Sequence, residues 1–361
     1  MGTQTERGNG GSQIYVGPER DHFGAENANG LLRAVERGGG VVDEPGEAEA
    51  LVWLGSDNSK LPELLHPGIR WVQLPSAGVE SWMEKGLIDV ERIFTSAAGV
   101  FSGAVAEHAL ALMLAGARRL HECARATSWE EAGWGRLFGG STVVILGAGG
   151  IGRALIRLLE PFGARVLAVT RSGREVPGAT ESYSADRTGE LWPEGDFFVV
   201  AAPATGTTEK MIGARELGAM QDHAWVVNVA RGSLIDTNAL VEALVEERIG
   251  GVALDVTDPE PLPDGHPLWT EPRALITPHR EPARRSGPRS GGAHRGERSP
   301  LWGGRGAHRA HRRRSRLLTA SETHAAEDAS APSGWFASRL SPRNTIAETT
   351  PVMVTRYWFP R

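Results

Sequence analysis

Apolar residues fall along this chain in short continuous runs, separated by stretches whose apolar positions recur every three or four residues. The runs QIYVG (13–17), ALVWLG (50–55), WVQLP (71–75) and IFT (93–95) read as strands. Between them the spacing predicts a helix over 26–39 ended by glycines, and a short one over 61–68 stopped by Pro67 and Gly68. A longer helix is predicted from about Gly103 to Cys123. The pattern restarts at Ser141 with STVVILG (141–147), an amphipathic helix over 151–163 and ARVLAVT (164–170). DFFVVAAP (196–203), AWVVNVA (224–230), GVALDV (251–256) and ALITPH (274–279) bring the strands of this second part to six. Continuous apolar runs mark strands covered on both faces, and their alternation with helices implies parallel sheets of the α/β class. The boundary falls near Phe101, giving units over 13–100 and 101–279 with the 103–123 helix as the bridge.

After His279 the pattern disappears. No Val or Ile occurs from Thr277 through Thr345, and residues 280–316 hold 12 arginines among Gly, Pro, Ser and His with no apolar period. Such a segment cannot bury enough surface to offset the entropy of ordering it, so 280–361 is expected to be disordered.

Composition sharpens this picture. A length of 361 residues suits two domains, and 40% apolar with 23% charged residues excludes global disorder. One cysteine, Cys123, excludes a disulfide framework and a multi-cysteine metal site, and no metal is expected. Residues 1–12 are polar and Gly-rich, expected to be disordered and unlike a secretory signal. The most apolar helical stretch, Ala104 to Ala115, carries Glu107 and His108 and is too short to span a bilayer. A cytoplasmic protein is expected. The net charge of −5 hides a split: residues 280–361 hold 16 of the 39 basic and 6 of the 44 acidic residues, a balance of +10 against −15 for the rest.

The most readable chemistry is Gly147-Ala148-Gly149-Gly150-Ile151-Gly152, which follows a predicted strand and opens a helix. Gly147 permits the tight turn, Gly149 the approach of a pyrophosphate, and Gly152 close helix–strand packing, while the helix N-terminus offers N–H groups to an anion. With six strands and helical crossovers, this reads as a complete doubly wound, Rossmann-like dinucleotide domain. At the end of the next strand stand Thr170-Arg171-Ser172, with Arg174 close by, where an NAD-selective site carries a carboxylate for the ribose 2′-OH. A guanidinium and a hydroxyl would instead bind a 2′-phosphate, so NADP(H) is favoured over NAD(H).

Polar residues also stand at the C-terminal ends of later strands, where ligands of open α/β sheets sit. Arg231 follows WVVNVA, Asp255 ends GVALDV, Glu260 lies in DPEPL and His279 ends ALITPH. Each has a bland alternative as a surface charge, a turn residue or a loop histidine. His66, His108, His121, His223 and His266 lack this context and read as structural or surface residues; Met211 and Met220 read as gap fillers, and Glu107 as part of a helix–helix contact.

NVARGSLIDTNALVEAL (228–244), ALDVTDPEPLPDGHPLW (253–269) and ITPH (276–279) resemble the signature of the D-isomer-specific 2-hydroxyacid dehydrogenases. SAGVESW (76–82), TSAAGVFSGAVAEHALALML (95–114) and AAPATGTTEKMIG (201–213) are similar to the same family, within which the glyoxylate/hydroxypyruvate reductase branch is most alike. The resemblance implies a smaller flavodoxin-like substrate domain over 13–100 beside the nucleotide domain, and commonly a homodimer, for which 103–140 with Trp129 and Trp134 is a candidate contact. It implies that Arg231 clamps the carboxylate of a 2-oxo acid, His279 is the acid/base and Glu260 its partner. It also implies that Ser76, Ala77 and Gly78 hold the substrate carboxylate through backbone N–H groups. Asp255 would hold the nicotinamide carboxamide, with Ala202, Pro203, Thr208, Val229 and Ala230 lining the cofactor. The chemistry is coherent: a fixed guanidinium orients a carboxylate and polarises a carbonyl, an imidazole supplies the proton, and a neighbouring carboxylate fixes its tautomer.

The family's chain normally continues after the catalytic histidine into a helix that returns to the first domain, and nothing from Arg280 onward resembles it. The abrupt change points to an out-of-frame translation from about Arg280, with a loosened cleft and an impaired enzyme as the consequence. Two other readings stay open: a non-catalytic dinucleotide sensor or scaffold, and a basic tail that binds nucleic acid. Against the latter, Trp302 is the only aromatic residue between Arg280 and Arg316, so stacking platforms are scarce.

Overall fold

A computed structural model describes residues 11–20, 25–129 and 135–279. The expectations for 280–361, most of 1–12 and Trp134 lie outside the described residues.

The chain first builds a five-stranded sheet. Its strands are β1 (Gln13–Gly17), β2 (Val41–Val42), β3 (Ala50–Trp53), β4 (Trp71–Gln73) and β5 (Ile93–Thr95). They lie in the order β2-β1-β3-β4-β5, every pair parallel, which is the flavodoxin-like order. Helices α1 (Ala25–Arg37), α2 (Leu61–Leu64) and α3 (Glu80–Glu84) connect them. Alternate residues of each strand point to opposite faces, so Leu51 and Trp53 enter one apolar cluster and Ala50 and Val52 another. The two-residue strand β2 was not expected; VV beside GGG is too short to carry a period.

Helix α4 (Ser102–Ala117) leads into the second sheet, followed by α5 (Leu120–Arg125). The single helix expected over 103–123 is therefore two. Arg119 takes a left-handed conformation (φ +52°), which a right-handed helix cannot accommodate, and the axis breaks there. Small residues let α4 lie close to the sheet: at Gly116 an added Cβ would stand 2.6 Å from the Trp225 ring.

Seven parallel strands follow: β6 (Thr142–Leu146), β7 (Arg165–Thr170), β8 (Glu181–Ser184), β9 (Phe197–Val200), β10 (Trp225–Asn228), β11 (Gly251–Leu254) and β12 (Ala274–Ile276). Their order, β12-β11-β10-β9-β6-β7-β8, is the Rossmann sequence with one further strand at the β12 edge. Six strands were expected; the seventh, β8, reads ESYS and buries only Tyr183, so its edge position leaves almost no apolar signature. By contrast β9, β10 and β11 are buried at every residue. In α6 (Gly150–Leu159) the buried positions Gly152, Leu155, Ile156 and Leu159 recur at helical spacing. Its end comes earlier than 163: Pro161 takes it into a 3₁₀ turn and Gly163 closes it at φ +61°. Helices α7 (Ala214–Ala219) and α8 (Thr237–Val245) complete the layers, the latter capped by the Asp236 carboxylate, which accepts from the N–H groups of Asn238 and Ala239. No helix among the described residues is long and apolar enough to cross a membrane.

Because all strands of a sheet run one way, their C-terminal ends share one edge, and the polar candidates gather there.

Candidate active site

The nucleotide end is built by β6 running into the glycine turn. Gly147 adopts φ +106°, and a Cβ there would stand 2.5 Å from the Ala202 backbone N, so this turn and the exit of β9 touch main chain to main chain. At Gly152 a Cβ would come within 2.7 Å of Gly147 O, which keeps α6 tight on its own strand. Around Gly149, the residue that precedes α6, a Cβ would meet nothing within 4 Å, and no side chain caps the helix. An open, uncapped helix N-terminus behind a glycine turn has the N–H groups and the space that a pyrophosphate requires, so these residues fit a dinucleotide. Gly150 and Ile151 form the first turn, with Gly150 against Ser102 at the start of α4.

At the end of β7, Arg171, Ser172 and Arg174 are exposed and the Thr170 hydroxyl is buried without a partner. Ser172 bridges to Ser184 of β8. No carboxylate occurs from Thr170 to Arg174. On the next loop, Thr208 Oγ1 donates to Pro203 O (2.7 Å) and accepts from Thr205 N (2.8 Å), closing the turn that carries Ala202 and Pro203.

Arg231, Glu260 and His279 follow three neighbouring strands, β10, β11 and β12, whose last residues are in register: Asn228 opposite Leu254, and Leu254 opposite Ile276. The Arg231 loop is shaped by Asn228, the one fully buried polar side chain of the sheet. Its Nδ2 donates to Arg231 O (2.8 Å) and its Oδ1 accepts from Ala230 N (3.0 Å), while Val229 and Ala230 are buried beneath. Gly232 then packs on the main chain of Thr257, at the root of the Glu260 turn. Glu260 Oε1 and His279 Nδ1 lie 2.7 Å apart, with side chains 42% and 46% exposed, so Nε2 is left for a ligand. His279 itself holds φ +42°.

The opposite wall comes from the first sheet. After β4, Ser76 Oγ donates to Gly78 O (2.6 Å), and Ala97 N donates to Ser76 O (2.9 Å), fixing Ser76, Ala77 and Gly78 as a tight loop. Gly78 lies directly against Arg231: a Cβ there would be 1.9 Å from Nη2. Glu80 Oε2 stands 3.5 Å from the same Nη2. The guanidinium thus spans from the β10 edge to the loop of the other sheet.

Asp255, partly buried, gathers two residues that the sequence did not single out for the site, Thr277 and His108. Thr277 Oγ1 donates to Asp255 Oδ1 (2.6 Å), and His108 Nε2 of α4 lies 3.0 Å from Thr277 Oγ1 and 3.2 Å from Asp255 Oδ1. Burial alone would push the Asp255 carboxyl up. The hydrogen bonds from His108 and Thr277, with the nearby His108 and His279 rings, hold it below the ordinary carboxylate range. The hydrogen bond to Asp255 outweighs desolvation at His108 and raises its pKa. His108, read from the sequence as a structural or surface residue, is therefore tied into the strand-end cluster by Thr277 and Asp255. Its partners lie up to 169 residues away, which no local pattern reveals. Asn228 did carry a signal, a lone amide in the apolar run WVVNVA.

A parallel sheet in Rossmann order, a glycine turn at a helix N-terminus and a polar cluster at the strand ends define a dinucleotide-binding oxidoreductase. Residues 110–280 match the profile of the D-isomer specific 2-hydroxyacid dehydrogenase, NAD binding domain. The chain belongs to the D-isomer-specific 2-hydroxyacid dehydrogenase family. It is 41% identical over 256 residues to an uncharacterized protein in the proB 3′ region of Corynebacterium melassecola, covering 68% of this chain and 83% of that one. A glyoxylate reductase of Thermococcus litoralis is 33% identical over 262 residues, 67% of this chain and 76% of that one. Among solved structures, a D-isomer specific 2-hydroxyacid dehydrogenase from Xanthobacter autotrophicus Py2, in complex with NADPH and MES, superposes with a TM-score of 0.62 at 25% identity, over 75% of this chain and 88% of that one.

Proposed function

We propose that this protein reduces small 2-oxo acids of the glyoxylate and hydroxypyruvate class to D-2-hydroxy acids, with NADPH as the preferred donor. The observation that carries the reading is the 2.7 Å Glu260–His279 pair at the sheet edge that also bears Arg231. The Gly147–Gly152 turn would hold the cofactor's pyrophosphate and Asp255 its carboxamide, and the group so held would supply the hydride for the carbonyl carbon. Arg231 pairs with the substrate carboxylate and, with the N–H groups of Ser76 to Gly78, orients the carbonyl. Its guanidinium also offsets the negative charge that develops on the carbonyl oxygen. His279 delivers a proton from Nε2 to that oxygen, while Glu260 accepts from Nδ1–H and stabilises the charged ring. Ala202, Pro203, Thr208, Val229 and Ala230 line the cofactor. Arg171 and Ser172, in a stretch that carries no Asp or Glu from Thr170 to Arg174, support selection of a 2′-phosphate.

The Thermococcus litoralis relative, a glyoxylate reductase 33% identical to this chain, supports the substrate class. The full exposure of Trp129 and the high exposure of Leu137 support a homodimer contact on that side. The departure from the family pattern after His279 supports reduced turnover, so replacing 280–361 by a family-type helix should raise kcat. The deciding experiment follows NADPH and NADH oxidation by absorbance with glyoxylate, hydroxypyruvate and pyruvate. Turnover fastest with NADPH and one of the first two substrates supports the reading; cofactor binding without turnover on any 2-oxo acid defeats it.

A further inference from the structure

The side-chain cluster beside Asp255 has a hydrogen-bond logic that decides where its protons sit. Thr277 has one hydroxyl proton and spends it on Asp255 Oδ1 at 2.6 Å. Its oxygen can then only accept from His108 Nε2, 3.0 Å away, so Nε2 carries a proton in either charge state of the ring. That same N–H lies 3.2 Å from Asp255 Oδ1. Both contacts converge on Oδ1, and Oδ2 is free of them. The Asp255 main chain is held independently, its N donating to Asn228 O at 2.9 Å, so the side-chain contacts act on carboxylate rotation and not on strand position.

We infer that His108 is a positioning residue for the nicotinamide end of the cofactor: through Thr277 and Asp255 Oδ1 it fixes the carboxylate rotamer that presents Oδ2 to the carboxamide. The inference rests on the proposed role of Asp255. His108 comes from α4, whose first residue, Ser102, lies against Gly150 of the glycine turn, so one helix backs both that turn and the Asp255 cluster. A carboxylate whose torsion is free loses orientation entropy each time it binds an amide; one already locked does not.

The test compares two ligands that differ by the nicotinamide ring. Dissociation constants of NADPH and of 2′-phospho-ADP-ribose are measured by calorimetry for the full chain, His108→Ala, His108→Gln and Thr277→Val, with NADH and ADP-ribose as a second pair. His108→Ala and Thr277→Val should weaken NADPH on the order of tenfold and leave the ring-less ligand within about twofold. His108→Gln, which can place an amide N–H near the position of Nε2, should recover most of the loss. Equal weakening of both ligands would mean a general structural role, and no weakening of either would mean no role; both outcomes overturn the inference while nucleotide binding stands. Absence of binding by the unsubstituted chain to all four ligands overturns the nucleotide-site reading itself, and this inference with it.

Discussion

His279 and Glu260 stand 19 residues apart in sequence, yet their Nδ1 and Oε1 atoms are 2.7 Å apart, because β11 and β12 pair in register and the Glu260 turn folds back over the β12 end. A carboxylate at Nδ1 accepts the Nδ1 proton and leaves Nε2 to donate. A glutamine there could donate its own N–H to Nδ1 and thus oppose the charged ring. Glu260→Gln should lower kcat on the order of 10²-fold with little change in cofactor binding. His279→Ala should cost about 10²- to 10⁴-fold. Steady-state kinetics beside calorimetric NADPH titration check both, and a Glu260→Gln enzyme of normal kcat would sink the pair.

Gly78 and Arg231 give a sharper test, because activity and stability separate there. A Cβ at residue 78 would collide with Arg231 Nη2 and crowd Glu80 Oε2, both far ends of flexible side chains that can swing away at little folding cost. Gly78→Ala should therefore move Tm by no more than about 2 °C while raising KM for the 2-oxo acid roughly tenfold or more, as lost charge-assisted hydrogen bonds require. Arg231→Lys keeps the charge and loses the fork, with a similar KM increase. Differential scanning calorimetry with initial-rate kinetics reads both quantities; a large Tm loss in Gly78→Ala would show a loop packed for stability instead.

Cofactor choice is tested at the β7 end. Replacing Arg171 by Ala removes a cation from a strand end that carries no carboxylate from Thr170 to Arg174. NADPH affinity should fall about tenfold and NADH affinity hardly at all. Thr170→Asp should reverse the preference by repelling the 2′-phosphate and accepting the ribose hydroxyl. Kd values for both nucleotides decide it, and an unchanged ratio in both variants removes the assignment.

How much of this was legible in the sequence depended on burial. Strands such as FFVV and WVVN are covered on both faces, so their apolar runs announce them. β8 sits at an edge with a single buried residue, and β2 is two residues long, so neither projects a pattern. The break at Arg119 arises from backbone conformation that neighbouring apolar spacing does not encode. Arg231, Glu260 and His279 were visible because they sit just past strand ends, in the resembling motifs. His108 and Glu80 were not: each is set by a helix meeting a distant loop, and their partners are fixed only by the tertiary arrangement.

The His108–Asp255 pair also has a pH signature. His108 faces Asp255 after β11 and Thr277 after β12, with the His279 ring acting on Asp255 from the same side. The folded-state pKa of His108 is raised, so its contribution is complete below the ordinary histidine value near 6.5 and is lost as pH climbs through the folded value. That of Asp255 is lowered, so its contribution is complete above the ordinary value near 3.9 and is lost as pH falls through the folded one. The pair is most stabilising between these limits. The Tm difference between the unsubstituted chain and His108→Gln should be greatest near pH 6 and shrink towards pH 9. The shrinkage should be modest, since His108 is partly open to solvent screening. A difference that grows on the alkaline side contradicts the pairing.

His121 is the opposite case. It is buried on α5 with its ring 5.3 Å from that of Trp225 at an interplanar angle of 73°, and neither ring nitrogen makes a hydrogen bond of good geometry, the Ala115 main chain being only weakly engaged. Desolvation lowers its pKa, outweighing Glu122, whose Oε1 is 3.6 Å away, and the Ala115 main chain, while Arg125 and Arg119 push the same way as burial. The folded protein therefore refuses a proton that the unfolded chain accepts, and stability drops as pH falls through about 6.5. Phenylalanine preserves the edge contact to Trp225 and removes two poorly satisfied polar atoms. His121→Phe should add about 1 kcal/mol, or roughly 2–4 °C in Tm, at neutral pH. The gain should widen at pH 5.5, where the histidine is most penalised. Scanning fluorimetry at both pH values measures it, and a lower Tm at each would mean that the imidazole nitrogens are partnered in solution.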